Sequence, residues 1–121
     1  MAVAALWPAL LPALLPAQSE AIPLPSATIA RYPRGEVVRQ VVSRSDRHQS
    51  YAVYLPSRYT PAQRWPLLLL MDPRGRALIP LALVRESAER LGYIVLSSYN
   101  SRSDEPVDPN RDALNAMLAD A

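Results

Sequence analysis

Asp72-Pro73-Arg74-Gly75-Arg76 is the stretch of this chain best suited to chemistry. It follows an unbroken apolar run at residues 67–71 and precedes a helical pattern. A turn in that position aims backbone N–H groups past the carboxyl end of a strand, next to a helix N-terminus that favours negative charge. Such groups can stabilise an oxyanion or hold a phosphate. Pro73 has no N–H, so the candidate donors are Arg74, Gly75 and Arg76. The plainer reading is a structural turn that Asp-Pro starts and Gly finishes.

A second polar group, Ser97, Ser98, Asn100, Ser101, Arg102 and Asp104, crowds the end of the last apolar run. In open α/β sheets that edge is where ligands bind, although a polar loop there is ordinarily just solvated. A serine nucleophile needs a base within hydrogen-bonding reach. The single histidine, His48, falls in a polar turn expected at the far edge of the sheet, as an exposed residue and not as a partner for Ser97 or Ser98.

Composition removes further chemistries. All thirteen basic residues are arginine, which excludes a phosphate loop ending in Gly-Lys and a lysine Schiff base. It also argues against Asp72 as a phosphoacceptor, which wants an acidic pair and a lysine. Without cysteine there are no disulfides, thiolate zinc sites or iron–sulfur clusters, and one histidine does not build a typical zinc site. No metal or cofactor is expected. The arginines are interspersed with eleven acids for a net +2, so no concentrated patch for nucleic acid is expected. Trp65 and the six tyrosines are scattered and read as packing residues.

The elements that would position these groups follow from pattern. Residues 36–42 are rich in β-branched side chains and residues 51–56 in apolar and aromatic ones, which predicts an antiparallel hairpin around a polar turn. Residues 67–71 lack polar alternation, which predicts a strand covered on both faces, inside a parallel sheet. Ala77, Leu81, Val84, Ala88 and Leu91 form one helical stripe, and Arg85–Glu89 and Glu86–Arg90 are spaced to pair on the other side. Pro80 places the helix start near Ile79, and Gly92 suits its left-handed end. Residues 93–99 form the next strand, giving a right-handed βαβ unit. A final helix starts at Arg111, with Leu114, Met117, Leu118 and Ala121 on one side.

Ahead of this domain, residues 2–17 are all apolar, too few for an ordinary transmembrane helix and interrupted by Pro8, Pro12 and Pro16. Residues 1–21 read as a secretory signal peptide, with Ala17 and Ser19 near the cleavage point, or as an unstructured leader from a mis-assigned start. Residues 22–35 read as a proline-rich linker and residues 36–121 as the domain. A secreted or periplasmic protein is expected, or a cytoplasmic one if the start is mis-assigned, with no stable membrane span.

Residues 51–77, "YAVYLPSRYTPAQRWPLLLLMDPRGRA", resemble the entry to α/β-hydrolases of the esterase and polyhydroxybutyrate-depolymerase-like kind. Those proteins read as a hairpin, a Y-L-P-x-x-Y segment, a proline-bearing crossover and an apolar strand whose following loop helps form the oxyanion hole. The helix and "YIVLSSYN" continue the same order, and "NRDALNAMLADA" looks like the helix leading into the nucleophile strand. The resemblance implies an α/β fold with a partial hydrolase-like sheet. It also implies the N-terminal portion of an exported serine hydrolase acting on small or polymeric carboxylic esters. Two departures stand out: Met-Asp-Pro-Arg-Gly replaces a His-Gly pair, and the G-x-S-x-G elbow is absent together with its acid and histidine partners. The resemblance therefore implies no catalytic competence for this chain alone. The alternative is a small non-catalytic α/β binding or interaction module.

Overall fold

The computed structural model describes residues 28–105 and 108–121. The leader expected over residues 1–21 and the start of the expected linker lie outside the described residues. A short 3-10 turn, Thr28–Arg31, comes first, followed by β1 (Val37–Val42), β2 (Ser50–Tyr54) and β3 (Leu67–Met71). Then come α1 (Leu78–Leu91), β4 (Ile94–Ser98) and α2 (Pro109–Asp120). The four strands form one mixed sheet in the order β1-β2-β4-β3. β1 and β2 are antiparallel, as are β2 and β4, whereas β3 and β4 run parallel. The fold class is α/β, as expected.

The hairpin forms because two strand-prone runs flank a turn that satisfies its own backbone. Ser43 N–H donates to Gln49 O at 2.9 Å, and Asp46 Oδ1 accepts the His48 N–H at 2.9 Å. A register shift between Val38 and Val41 bulges β1 where Arg39 and Gln40 turn outward.

The two helices cover opposite faces of the sheet. On one face, Tyr51, Val53, Ile94 and Leu96 pack with Met117 of α2 and with Ile29 of the 3-10 turn. On the other, Ala52, Tyr54 and Val95 pack with Ala77, Leu81 and Ala88 around α1. Leu67, Leu69 and Met71 belong to the first cluster and Leu68 and Leu70 to the second. The run of leucines is thus explained: a strand with a helix over each face has no side that wants polar residues.

The place of β3 in the sheet follows from its pairing. β3 is the end strand, paired only with β4, and all five of its residues are half-buried. Ile94 N–H donates to Pro66 O at 2.9 Å, which points the even-numbered backbone groups of this strand at β4. Alternation then turns the N–H and C=O groups of Leu67, Leu69 and Met71 toward the open edge.

Helix limits follow local chemistry. α1 starts at Leu78, one residue before the expected position, with Pro80 in its first turn. Gly92, at φ 77°, closes it by donating its N–H to Ala88 O at 2.9 Å. α2 starts two residues earlier than expected. Asp108 caps it by accepting N–H bonds from Asn110 and Arg111, and Pro109 occupies the first turn, where its missing N–H costs nothing.

The expected faces need correction at three points. Leu91 is 61% exposed and Leu118 51% exposed, while α2 buries Ala113, Ala116, Met117 and Asp120. Asp120 is drawn in because its carboxylate accepts the Tyr51 hydroxyl at 2.7 Å and the Arg44 N–H at 3.2 Å. The expected Arg85–Glu89 and Glu86–Arg90 pairs are absent among the described residues. Glu89 instead accepts the Tyr54 hydroxyl at 2.5 Å and the N–H and hydroxyl of Ser57, and Arg85 lies over the Tyr54 ring.

Candidate functional site

The carboxyl ends of β3 and β4 lie side by side, because parallel pairing sets Met71 opposite Ser98. The charged turn and the polar loop are therefore neighbours, as a ligand site in an open α/β sheet requires.

Within the turn, Asp72 holds the centre. Its Oδ2 accepts the Arg74 N–H at 2.9 Å, the Arg76 N–H at 3.1 Å and Arg76 Nε at 2.9 Å. Its Oδ1 accepts Arg76 Nη2 at 2.9 Å, which completes a two-pronged ion pair. The Gly75 N–H donates to the Asp72 carbonyl at 3.0 Å. All three candidate donors, Arg74, Gly75 and Arg76, are therefore brought together, and each one donates to Asp72. A carboxylate of the chain itself sits where an external oxyanion would have to sit. Arg76 beside it, helped by the two backbone donors, holds Asp72 well below the usual carboxylate range.

The loop after β4 is stitched to this turn. Ser101 Oγ donates to Asp72 O at 2.7 Å, and the Ser103 N–H donates to Pro73 O at 3.2 Å. Arg102 is clasped on its backbone by the Asn110 side chain, whose Oδ1 accepts the Arg102 N–H at 3.0 Å and whose Nδ2 donates to Arg102 O at 2.9 Å. Arg102 Nη1 donates to Tyr99 O at 3.2 Å and to Ser101 O at 2.7 Å. Gly75, at φ 63°, is what lets the two segments close. A Cβ there would overlap Arg102 Nη1 and the Tyr99 carbonyl. Between turn and loop lies an open cleft of about 400 Å³ lined by Pro73, Arg74, Arg102, Ser103, Asp104 and Glu105.

The serines do not act as nucleophile candidates here. Ser97 is fully buried and donates to Ala77 O at 2.6 Å, tying β4 to the start of α1. Ser98 is equally buried and accepts the Asn100 N–H at 2.9 Å. His48 is exposed, as expected, in the turn of the β1–β2 hairpin at the end of the sheet opposite β3. Antiparallel pairing of β2 with β4 brings the hairpin turn beside the end of β4, where Asn100 Nδ2 donates to His48 O at 3.1 Å. Its contact there is through the backbone. Among the described residues, no three His, Asp or Glu side chains gather as metal ligands, and no helix is long and apolar enough to cross a membrane.

The carboxylate of Asp72 and the clamp of Asn110 were not legible as partners from residue type alone. One usable signal existed, the Asp-x-x-x-Arg spacing of Asp72 and Arg76, which suits a two-pronged pair across a tight turn.

In comparisons with known proteins, no family model, curated protein or solved structure matches the chain. The fold and the site stand on the chain's own geometry.

Two depressed carboxylates make acid sensitivity a direct expectation. Asp72 lies below its ordinary value, and Glu89 is brought from 4.5 to about 2, chiefly by the Ser57 hydroxyl and then by Tyr54. A group whose value is lowered by folding stabilises the fold above its unfolded value and loses that contribution as pH falls toward the folded one. The urea midpoint should therefore be flat above about pH 5 and drop between about pH 4 and pH 2. Glu89→Gln should shallow that drop; an unchanged slope would show that Glu89 does not titrate as described.

Proposed function

We propose that this chain is the N-terminal portion of a serine hydrolase of the esterase-like α/β class, exported, and inactive on esters without the portion that carries the nucleophile. The observation that carries this reading is the open apolar edge of β3, together with the side from which α2 approaches. The βαβ unit steps from β3 to β4 with α1 on one face. β-α-β connections in one sheet are right-handed, because a right-twisted strand packs its helix back only that way. A helix on the opposite face must then step in the opposite direction. α2 lies on that opposite face, so a strand following it would return over β3 and pair with its free edge. In the proposed parent, that strand ends in the nucleophile, beside the turn at Asp72.

A second reading, a free-standing binding module, draws on a different observation. Asp72 already occupies the N–H groups that an oxyanion would need.

Sequencing of the coding DNA beyond codon 121 and an ester assay decide between them. The hydrolase reading expects an in-frame continuation with an apolar strand running into G-x-S-x-G, and hydrolysis of p-nitrophenyl butyrate by the 121-residue chain no faster than in buffer. A stop codon at that point, or turnover by the isolated chain, would overturn it.

A further inference from the structure

The cleft between the β3–α1 turn and the loop after β4 carries an inference that stands apart from ester hydrolysis. We infer that it binds a zwitterionic ligand of the amino-acid type, with the carboxylate held between Arg74 and Arg102 and the ammonium held by Asp104 and Glu105.

Two arginines and two acids line this one cleft of about 400 Å³. Opposite charges in so small a space would ordinarily pair with each other, yet none of the four takes part in a salt bridge among the described residues. The reason is in the backbone. Arg102 Nη1 is spent on Tyr99 O and Ser101 O, which fixes one end of the guanidinium on the backbone and leaves its other nitrogens without a hydrogen bond among the described residues. The Ser103 N–H bond to Pro73 O and the Asn110 clasp on Arg102 hold the loop that carries Asp104 and Glu105. Arg74 is anchored through its own N–H on Asp72, and its guanidinium makes no hydrogen bond among the described residues. Arg74 thus lines this space from the turn, and Arg102, Asp104 and Glu105 line it from the loop.

A ligand with one charge would meet charges of its own sign in this space as well as charges of the opposite sign. A small molecule bearing both charges can pair with both kinds of side chain, and a guanidinium is the group best shaped for its carboxylate. The cleft also opens at the carboxyl ends of the parallel strands, where ligands of open α/β sheets are found.

The test is calorimetric titration of the full 121-residue chain, carried on a soluble fusion partner, with the partner alone as control. L-alanine is the probe, and N-acetyl-L-alanine and L-alaninamide are its singly charged comparators. Saturable binding of L-alanine, with each comparator weaker by about tenfold or more, is the expected result. Arg74→Gln should weaken L-alanine binding by a similar factor. That side chain is exposed and makes no hydrogen bond among the described residues, so an unchanged circular dichroism spectrum should accompany the loss. Equal binding of all three probes, binding unaffected by Arg74→Gln, or no saturable heat with L-alanine would each overturn the inference.

Discussion

At micromolar concentration the 121-residue chain on its own is expected to sediment as oligomers or to leave solution, and Leu69→Pro is expected to return it to a monomer. β3 presents a strand edge of four leucines and a methionine with no charge and no proline inside it. The N–H and C=O groups of Leu67, Leu69 and Met71 face outward without a partner strand, which makes them a template for another chain. Exposed apolar residues on α1 add to the tendency: Leu83 is 81% exposed and Leu91 61% exposed. Proline at position 69 removes an outward N–H and leaves the bonds to β4 intact, a position an end strand tolerates. Proline at position 68 would remove a bond to β4 and should unfold the chain. Sedimentation velocity on the three proteins reads the difference. A monodisperse wild-type monomer, or self-association that survives Leu69→Pro, would show that the β3 edge is not the cause.

Gly75→Ala should be the most damaging single methyl group that can be added to this protein. It forces alanine to φ 63°, a left-handed conformation costing roughly 1–2 kcal/mol for a residue with a Cβ. It also drives that Cβ into the Tyr99 carbonyl and Arg102 Nη1. The arginine could swing away, but the carbonyl belongs to the backbone at the end of β4. Overpacking of that kind costs a further ~1–3 kcal/mol, so a loss of about 3 kcal/mol is expected. Urea unfolding at a concentration low enough to suppress self-association measures it. Gly35→Ala is the comparison, because that glycine also has positive φ, at 73°, but a Cβ there meets only Ser57 at ordinary contact distance. A loss at Gly75 no larger than at Gly35 would remove the close approach as an explanation.

Most of the fold was legible because its elements declare themselves by pattern. The β-branched run at β1, the unalternated leucines of β3, and Pro80 with Gly92 bracketing α1 each have one natural reading. What pattern could not supply was position. A strand covered on both faces looks the same at the centre of a sheet as at its end, so the leucines alone do not say whether β3 has one neighbour or two. The helical stripe of α1 runs on to the exposed Leu91 because periodicity does not say how far the sheet beneath a helix reaches, and on α2 Leu118 lies beside the face formed by Ala113, Ala116, Met117 and Asp120. Asp120 went unnoticed as a core residue because its burial depends on Tyr51, sixty-nine positions away. At the candidate site, Arg74, Gly75 and Arg76 are consecutive, so residue order alone makes their N–H groups neighbours. That Asp72 would take them for itself follows from side-chain geometry that residue order leaves open.

The sheet order β1-β2-β4-β3 also sets a schedule for synthesis. The hairpin of β1 and β2 leaves the ribosome first, yet four of the five residues of β2 are fully covered only when β4 has arrived to pair with them. β3, α1 and β4 form a unit of near neighbours that can assemble once Ser98 has emerged. Until then the nascent hairpin carries Tyr51, Val53 and Tyr54 uncovered. A ribosome-associated chaperone would therefore find its binding window between the emergence of Tyr54 and that of β4.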